Sequence, residues 1–231
     1  MWFRRSSSRS YGTKAVRVQR LAALALVTMI CATAPGVAVA ADAPVKIVVL
    51  GDSLSAGFGL PADAAFPAKL AVALKAKNIA ADVINAGVSG DTASGGLARV
   101  DWSIPDGTDA VILEIGANDA LRGLDPALTK KALDAILGKL QERHIAVLFA
   151  GMRAPRNMGE AYARDFDAIF PALAASHVVV FYPFFLEGVA TDAKLNQADG
   201  MHPNAAGVDV IVARILPKVE ELIALARANK K

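Results

Sequence analysis

The sequence predicts a three-layer α/β/α sandwich built around a five-stranded parallel sheet. Short, β-rich apolar runs alternate with longer segments of helical spacing along residues 41–231. The apolar runs are continuous rather than alternating, which is typical of parallel strands that are covered on both faces. No internal repeat, low-complexity segment or second linker interrupts this stretch, so one domain is the economical interpretation.

The predicted strands and helices take turns along the chain. The strands are expected at residues 46–50, 81–84, 110–115, 145–149 and 178–181. Several of the helical segments begin with Asp, Asn or Pro, as helices often do. They are expected at residues 67–77, 91–100, 125–143, 157–175 and 203–228. Right-handed crossovers between parallel strands then favour a doubly wound, flavodoxin-like arrangement.

The first 40 residues are predicted to be a cleaved signal peptide. Residues 1–20 hold six basic residues and no acidic residue, and residues 21–34 are almost wholly apolar. The apolar run is too short for a comfortable membrane span, and Ala-Val-Ala at 38–40 is a pattern that signal peptidase accepts. We therefore expect a periplasmic or secreted domain comprising residues 41–231, with a retained N-terminal anchor as the alternative.

Charge and cysteine content argue against several classes of protein. Six of the 25 basic residues lie in the predicted leader, so 19 basic and 22 acidic residues remain after its removal. This balance, together with the lack of a basic cluster interleaved with aromatic residues, gives no support to nucleic-acid binding. The single cysteine, Cys31, also lies in the leader, so the processed chain is predicted to have neither a disulfide nor a thiolate metal ligand.

Four segments that follow predicted strands, or lie in the loop before the last helix, carry the chemistry. They are Gly-Asp-Ser-Leu-Ser at 51–55, Asn-Ala-Gly-Val-Ser-Gly-Asp at 85–91, Gly-Ala-Asn-Asp at 116–119 and Asp-Gly-Met-His-Pro at 199–203. In an open parallel sheet, ligands bind outside the carboxyl ends of the strands. We therefore expect these distant segments to meet at one edge of the sheet.

The residue types in these segments predict acyl transfer by a serine nucleophile. A serine hydroxyl needs a general base, a group that orients the base, and donors for the oxyanion. Ser53 is the predicted nucleophile, His202 the base and Asp199 the orienting group. The N–H groups of Ser53 and Gly87 and the side-chain amide of Asn118 are the predicted oxyanion donors. A non-catalytic periplasmic binding module is the alternative from a different class.

The four segments resemble those of the SGNH, or GDSL-type, hydrolases. The similarity extends to Ser-Gly-Asp-Thr at 89–92, Gly-Leu-Ala-Arg at 96–99, Leu-Arg-Gly at 121–123 and Pro-Phe-Phe at 183–185. It is strongest to the bacterial periplasmic thioesterase, lysophospholipase and arylesterase members. Where the family often has a second glycine, the third segment has Ala117, which reduces backbone freedom beside the asparagine.

The resemblance implies both a mechanism and a class of substrate. It implies a triad of Ser53, His202 and Asp199, with Gly87 and Asn118 as oxyanion donors. The implied reaction is hydrolysis of acyl esters through an acyl-enzyme, and the implied substrates are fatty acyl thioesters, lysophospholipids or aryl esters. A carbohydrate O-deacetylase that acts on cell-wall or exopolysaccharide acetyl groups is the alternative within the class.

Apolar residues near the predicted loops are expected to line an acyl groove. They are Phe58, Leu121, Pro155, Met158, Phe184 and Phe185. A small-molecule ester or thioester is the expected partner. Transient contact with lipid surfaces is compatible with such substrates, whereas stable membrane insertion after removal of the leader is not expected.

The remaining polar residues and motifs are assigned structural roles. Asp52 is expected to cap the following helix and Asp119 to brace its loop, while His144 and His177 are left outside the site. The glycine pattern at 57–62 matches a dinucleotide-binding turn only weakly, because a proline interrupts the helix start. The chain has no Walker, zinc-binding or EF-hand motif, so no cofactor or metal is predicted. The Gly-x-Ser-x-Gly elbow of the α/β-hydrolases is also absent.

Overall fold

The computed structural model describes residues 1–3 and 43–230. Almost all of the predicted leader lies outside the described residues, so its cleavage stays a prediction. Within the described part of the chain, no helix combines the length and the apolar character that a membrane crossing requires.

Five parallel strands form the sheet, as the apolar runs predict. The strands are β1 Val45–Gly51, β2 Ala81–Gly87, β3 Ala110–Glu114, β4 Ala146–Ala150 and β5 Val180–Tyr182. Their order across the sheet is β2-β1-β3-β4-β5, and every neighbouring pair is parallel. The predicted sheet and three-layer α/β/α class are therefore confirmed.

Burial along the strands follows their position in the sheet. All residues of β3 and β4 are buried, as are all but one of β1, so the continuous apolar runs do mark strands covered on both faces. The edge strand β2 differs, because its residues are half-buried or exposed. An edge strand has a neighbour on one side only, and this explains why its sequence is less apolar.

Helices cover both faces of the sheet. They are α1 Ser53–Ala56, α2 Phe66–Ala76, α3 Ala93–Ser103, α4 Ala117–Leu121, α5 Pro126–Glu142, α6 Glu160–Asp167, α7 Ile169–Ser176 and α8 Ala205–Asn229. Helix α2 packs against α8, while α3 and α7 pack against α5. Two short 3-10 turns, Ala62–Ala64 and Arg156–Met158, complete the described elements.

The helix predicted at 157–175 is divided in the structure. Helices α6 and α7 replace it, with Ala168 between them. Pro171 lies near the start of α7, and its ring nitrogen has no hydrogen to donate to the preceding turn. Gly159, with φ of 93°, sets the start of α6, a conformation that residues with a side chain rarely adopt.

The strand register brings the carboxyl ends of three strands side by side. Gly51 at the end of β1 is paired with Gly87 of β2 and with Glu114 of β3. The short helices α1 and α4 start within two or three residues of this edge. Helix α1 is the one that Asp52 was expected to cap, whereas α4 was not predicted. Both carry predicted site residues, because Ser53 begins α1 and Asn118 lies in α4.

Candidate active site

The predicted nucleophile is the first residue of a one-turn helix. Asp52 caps this helix as predicted, since its Oδ1 accepts a hydrogen bond of 3.0 Å from the N–H of Leu54. Gly57 ends the helix with φ of 83°. A serine at the first helical position has no intrahelical acceptor for its N–H, so both the hydroxyl and the N–H of Ser53 are available to a ligand.

The structure brings Ser53, His202 and Asp199 into one hydrogen-bonded chain. The Oγ of Ser53 lies 3.0 Å from Nε2 of His202, and Nδ1 of His202 lies 2.6 Å from Oδ2 of Asp199. The imidazole therefore contacts the serine with one nitrogen and the carboxylate with the other. In this geometry the histidine can take the hydroxyl proton while the aspartate stabilises the imidazolium that forms.

Asp199 is held in its ionised form by its own loop. Its Oδ1 accepts hydrogen bonds from the N–H groups of His202, at 3.0 Å, and Met201, at 2.9 Å. These two bonds, with the bond from the His202 side chain, lower the pKa of Asp199 from 3.8 to about 2. The carboxylate that orients the imidazole is consequently charged across the pH range in which esterases work.

Asn118 is placed and oriented by neighbouring segments. Gly116 precedes α4 with φ of 125°, which lets the chain turn sharply from β3 into the helix. The Nδ2 of Asn118 then donates to the carbonyl of Asp91, at 2.9 Å, and to Oδ2 of Asp52, at 3.3 Å. Two acceptors on different segments therefore fix the carboxamide that was predicted to stabilise the oxyanion.

Gly87 does not offer the free N–H that the sequence suggested. Its N–H donates to Oδ1 of Asn85 at 2.9 Å. The absence of a side chain has another reason here, because a Cβ at Gly87 would lie 2.3 Å from the backbone nitrogen of Ala56. Close approach of β2 to α1 accounts for this glycine, and an oxyanion role for it requires that the Asn85 carboxamide be displaced.

Arg99 is a site-supporting residue that the sequence patterns did not single out. Its guanidinium is almost fully buried and donates to the carbonyls of Gly51, at 2.8 Å, and Ala86, at 2.7 Å. Its Nε also pairs with the carboxylate of Asp91 at 2.6 Å. One side chain thus joins the ends of β1 and β2 to the loop that holds Asn118. Its place in Gly-Leu-Ala-Arg was visible in the sequence, but its role depends on contacts that the sequence does not display.

Two buried acids lie next to the nucleophile helix. Both Asp52 and Glu114 are completely inaccessible to solvent. Burial raises the pKa of Asp52 from 3.8 to about 6, although the hydrogen bond from Leu54 opposes this effect. Burial, together with the charge of Asp52, also raises the pKa of Glu114 well above its usual range. The neutral forms of these two acids are therefore favoured relative to those of exposed carboxyl groups.

Asp119 has the bracing role that was predicted. Its Oδ2 accepts from the N–H of Ala93, and its Oδ1 accepts from the hydroxyl of Thr129, both at 2.9 Å. The side chain therefore links the starts of α3 and α5 to α4, away from the reacting groups.

A cavity of about 540 Å³ opens beside the serine and the histidine. Three of the predicted groove residues line it, together with the predicted nucleophile, the predicted base and the asparagine of the predicted oxyanion hole. These residues are Leu121, Pro155, Phe184, Ser53, His202 and Asn118. Leu121 is about half exposed, which places it at the mouth of the cavity.

The other three predicted groove residues do not line this cavity. The ring of Phe58 packs instead on the imidazole of His202, with 4.6 Å between centroids. Met158 lies against Gly123, and Phe185 is fully buried in edge-to-face contact with Phe66. These three side chains lie elsewhere because position near a loop does not determine which way a side chain points.

The two excluded histidines lie far from the triad in the fold. Both line a smaller cavity of about 260 Å³ at the amino ends of β4 and β5. His177 is paired there with Asp134, with 2.6 Å between Nε2 and Oδ1. The described residues include no group of three or more His, Cys, Asp or Glu side chains arranged to hold a metal ion.

Comparison with known proteins identifies relatives over most of the chain. A model described as the GDSL-like Lipase/Acylhydrolase family matches residues 49–210. An arylesterase of Vibrio mimicus is 38% identical over 181 residues, covering 78% of this chain and 88% of the relative. The thioesterase 1/protease 1/lysophospholipase L1 of Escherichia coli strain K12 is 37% identical over 187 residues, covering 80% and 87% respectively.

A solved structure shows the same fold. AlinE4, described as an SGNH-hydrolase family esterase, matches with a TM-score of 0.66 and 45% sequence identity. The match covers 77% of this chain and 96% of that structure.

Proposed function

The chain belongs to the GDSL-like lipase/acylhydrolase family and is a carboxylic ester hydrolase, and we propose that Ser53, His202 and Asp199 are its catalytic residues. The observation that carries this proposal is the continuous hydrogen-bonded chain from Ser53 Oγ through the imidazole to the Asp199 carboxylate. Esterase and thioesterase names recur among the relatives, which supports the same reaction type.

The reaction proceeds through two acyl transfers. In the first, His202 takes the proton of Ser53 as the serine oxygen attacks the acyl carbon, and the imidazolium then protonates the departing alcohol or thiol. In the second, water gives a proton to His202 as its oxygen attacks the acyl carbon. The imidazolium then returns the proton to the Ser53 oxygen as the bond to the acyl carbon breaks, which releases the carboxylic acid and restores the serine hydroxyl. Asp199 remains ionised throughout and stabilises the imidazolium in both steps.

The oxyanion is stabilised by at least two donors in this proposal. Ser53 contributes its N–H at the cavity. Asn118 contributes its amide when the substrate oxygen replaces one of the two acceptors of its Nδ2, of which Asp52 Oδ2 is the more distant at 3.3 Å. Gly87 contributes only if its N–H leaves Asn85 when the substrate binds. Gly90, in the same loop with φ of 83°, is an alternative backbone donor, because its N–H donates to no other group among the residues that the structure describes.

Labelling with a fluorophosphonate probe tests the nucleophile. The purified protein should become covalently labelled at Ser53, with loss of nitrophenyl ester hydrolysis in proportion to labelling. The Ser53→Ala variant should be neither labelled nor active, while Ser89→Ala, a substitution on an exposed loop, should behave as the parent. Labelling at another residue, or none in an active preparation, would refute the assignment.

The acyl group is proposed to be of medium or long chain. The apolar side chains of Leu121 and Phe184 line the cavity next to Ser53, and its volume exceeds what an acetyl group needs. A series of nitrophenyl esters from C2 to C16 should show kcat/KM rising beyond C4. A sharp preference for acetate would contradict this proposal and favour an O-deacetylase.

Export is proposed from the composition of the first 40 residues. The basic segment, apolar run and Ala-Val-Ala site at 38–40 are the supporting features. Amino-terminal sequencing of the protein recovered from the periplasm or medium should begin at Ala41. Recovery of the uncleaved chain with membranes would instead favour an anchor.

A further inference from the structure

Glu114 is a fully buried acid that the acyl-transfer mechanism does not use. It ends β3, and its neighbour across the sheet is Gly51, which lies two residues before Ser53. Its Oε2 accepts a hydrogen bond of 2.6 Å from the hydroxyl of Ser55, which is itself fully buried. Ser55 lies two residues after Ser53 in α1, so this bond joins the centre of the sheet to the helix that carries the nucleophile.

The position of Glu114 is unfavourable for a carboxyl group. Its Oε1 is buried and forms no hydrogen bond of normal geometry within the part of the chain that the structure describes. The backbone N–H groups of Asp52 and Ser55 oppose the rise of its pKa, but burial outweighs them. Asp52, a second buried acid, repels its charged form. A buried ionisable group in such surroundings lowers stability relative to an apolar residue of the same size. A contribution to stability alone therefore does not explain this glutamate.

The nucleophile helix needs external contacts to hold its orientation. Helix α1 has only four residues, and a helix of one turn is unstable in isolation. Beside its close packing against β2 at Gly87, three hydrogen bonds hold it and its preceding turn from the sheet side. They are the Asp52 cap, the Arg99 bond to the Gly51 carbonyl, and the Glu114 bond to Ser55. Only the last of these reaches a side chain within α1.

We propose that Glu114 is a positioning residue whose hydrogen bond to Ser55 sets the orientation of α1 and thereby the reach of Ser53 Oγ toward His202. The inference rests on the proposed function, because the orientation of α1 matters only if Ser53 is the nucleophile. Glycine at position 51 is consistent with it, since a Cβ there would lie 2.2 Å from Ser55 Oγ and 2.7 Å from Glu114 Oε2.

Replacement of Glu114 by methionine separates positioning from stability. Methionine has a similar length and no acceptor or charge, so Glu114→Met should keep or raise the thermal midpoint while kcat falls about tenfold or more and KM stays within about twofold. Glu114→Gln keeps an acceptor for Ser55 and should retain kcat within about threefold of the parent. If Glu114 had only a structural role, the kcat of Glu114→Met would change only in parallel with its thermal midpoint.

Ser55→Ala gives a second arm if the methionine variant does not fold. It removes the hydroxyl that Glu114 binds and should also lower kcat about tenfold with KM unchanged. Leu113→Ala, in the adjacent buried position of β3, is the matched control and should lower the thermal midpoint without changing kcat. Unchanged kcat in both Glu114→Met and Ser55→Ala would overturn the inference. It would also be overturned if Leu113→Ala lowered kcat as much as these two variants do. If the parent is labelled by the fluorophosphonate at Ser53, such a result contradicts only the role of Glu114. If it is not labelled there, the assignment of Ser53 as the nucleophile is wrong.

Discussion

Replacing Asp52 by asparagine should change the pH dependence of stability and, separately, the turnover. Asp52 is completely buried, and burial raises its pKa from 3.8 to about 6. Between these two values the folded protein binds the proton more tightly than the unfolded chain. The free energy of unfolding therefore falls as the pH rises through this window. The difference between the two pKa values corresponds to a total loss of about 3 kcal/mol, which is nearly complete at about pH 7.

The asparagine variant should not show this loss, because it has no proton to release. We expect the free energy of unfolding to fall between pH 4 and pH 7.5 by about 2.4 kcal/mol less in Asp52→Asn than in the parent, because the unfolded Asp is already partly ionised at pH 4. Removal of the Asp52 charge also lessens the repulsion that raises the pKa of Glu114, which acts in the same direction. Urea unfolding followed by circular dichroism at the two pH values measures the effect.

Turnover should fall in the same variant for a different reason. Oδ2 of Asp52 accepts from Nδ2 of Asn118 at 3.3 Å, and an amide nitrogen in its place would be a second donor. Loss of one orienting hydrogen bond worth about 1.4 kcal/mol lowers kcat about tenfold. Asp82→Asn removes an equal charge from an exposed position in β2 and should alter neither quantity. A parent-like fall in stability between the two pH values in Asp52→Asn would refute the reasoning.

Three further substitutions address the reacting groups directly. Asn118→Ala removes a fixed oxyanion donor worth about 3 kcal/mol and should lower kcat on nitrophenyl butyrate a hundredfold or more, so turnover within a few-fold of the parent would remove Asn118 from the oxyanion hole. Asp199→Asn should lower kcat on the order of 10⁴-fold without preventing slow fluorophosphonate labelling, and a loss below about tenfold would show that the carboxylate does not orient His202. Phe58→Ala removes a ring that packs on that imidazole at 4.6 Å and should lower kcat about two- to tenfold at all ester chain lengths, as judged against Phe58→Tyr; a loss confined to long chains would restore it to the acyl groove.

The strand pattern was predictable because burial on both faces imposes an apolar composition over several consecutive residues. Such runs located β1, β3 and β4 to within one or two residues. The bounds of the one-turn helix α1 were not predicted, and α4 was missed altogether, since four or five residues are too few for a helical period to be recognised. The break at Ala168 was missed because helical spacing continues across it and Pro171 alone marks it.

The sequence by itself determined the kinds of groups at the site and the edge of the sheet where they lie. Ser53, His202 and Asp199 could be chosen because each belongs to a segment next to a predicted element, and parallel strands align their carboxyl ends. A local pair such as Asp199 and His202, three residues apart, can be proposed from spacing alone.

Only the tertiary structure decided which groups are free, buried or shared. It showed that the Gly87 N–H is bound to Asn85, that Phe58 contacts His202, and that Glu114 accepts a hydrogen bond from Ser55. The physical reason is that hydrogen-bond partners and burial arise from segments that meet in space, whereas the sequence specifies residue types along a line.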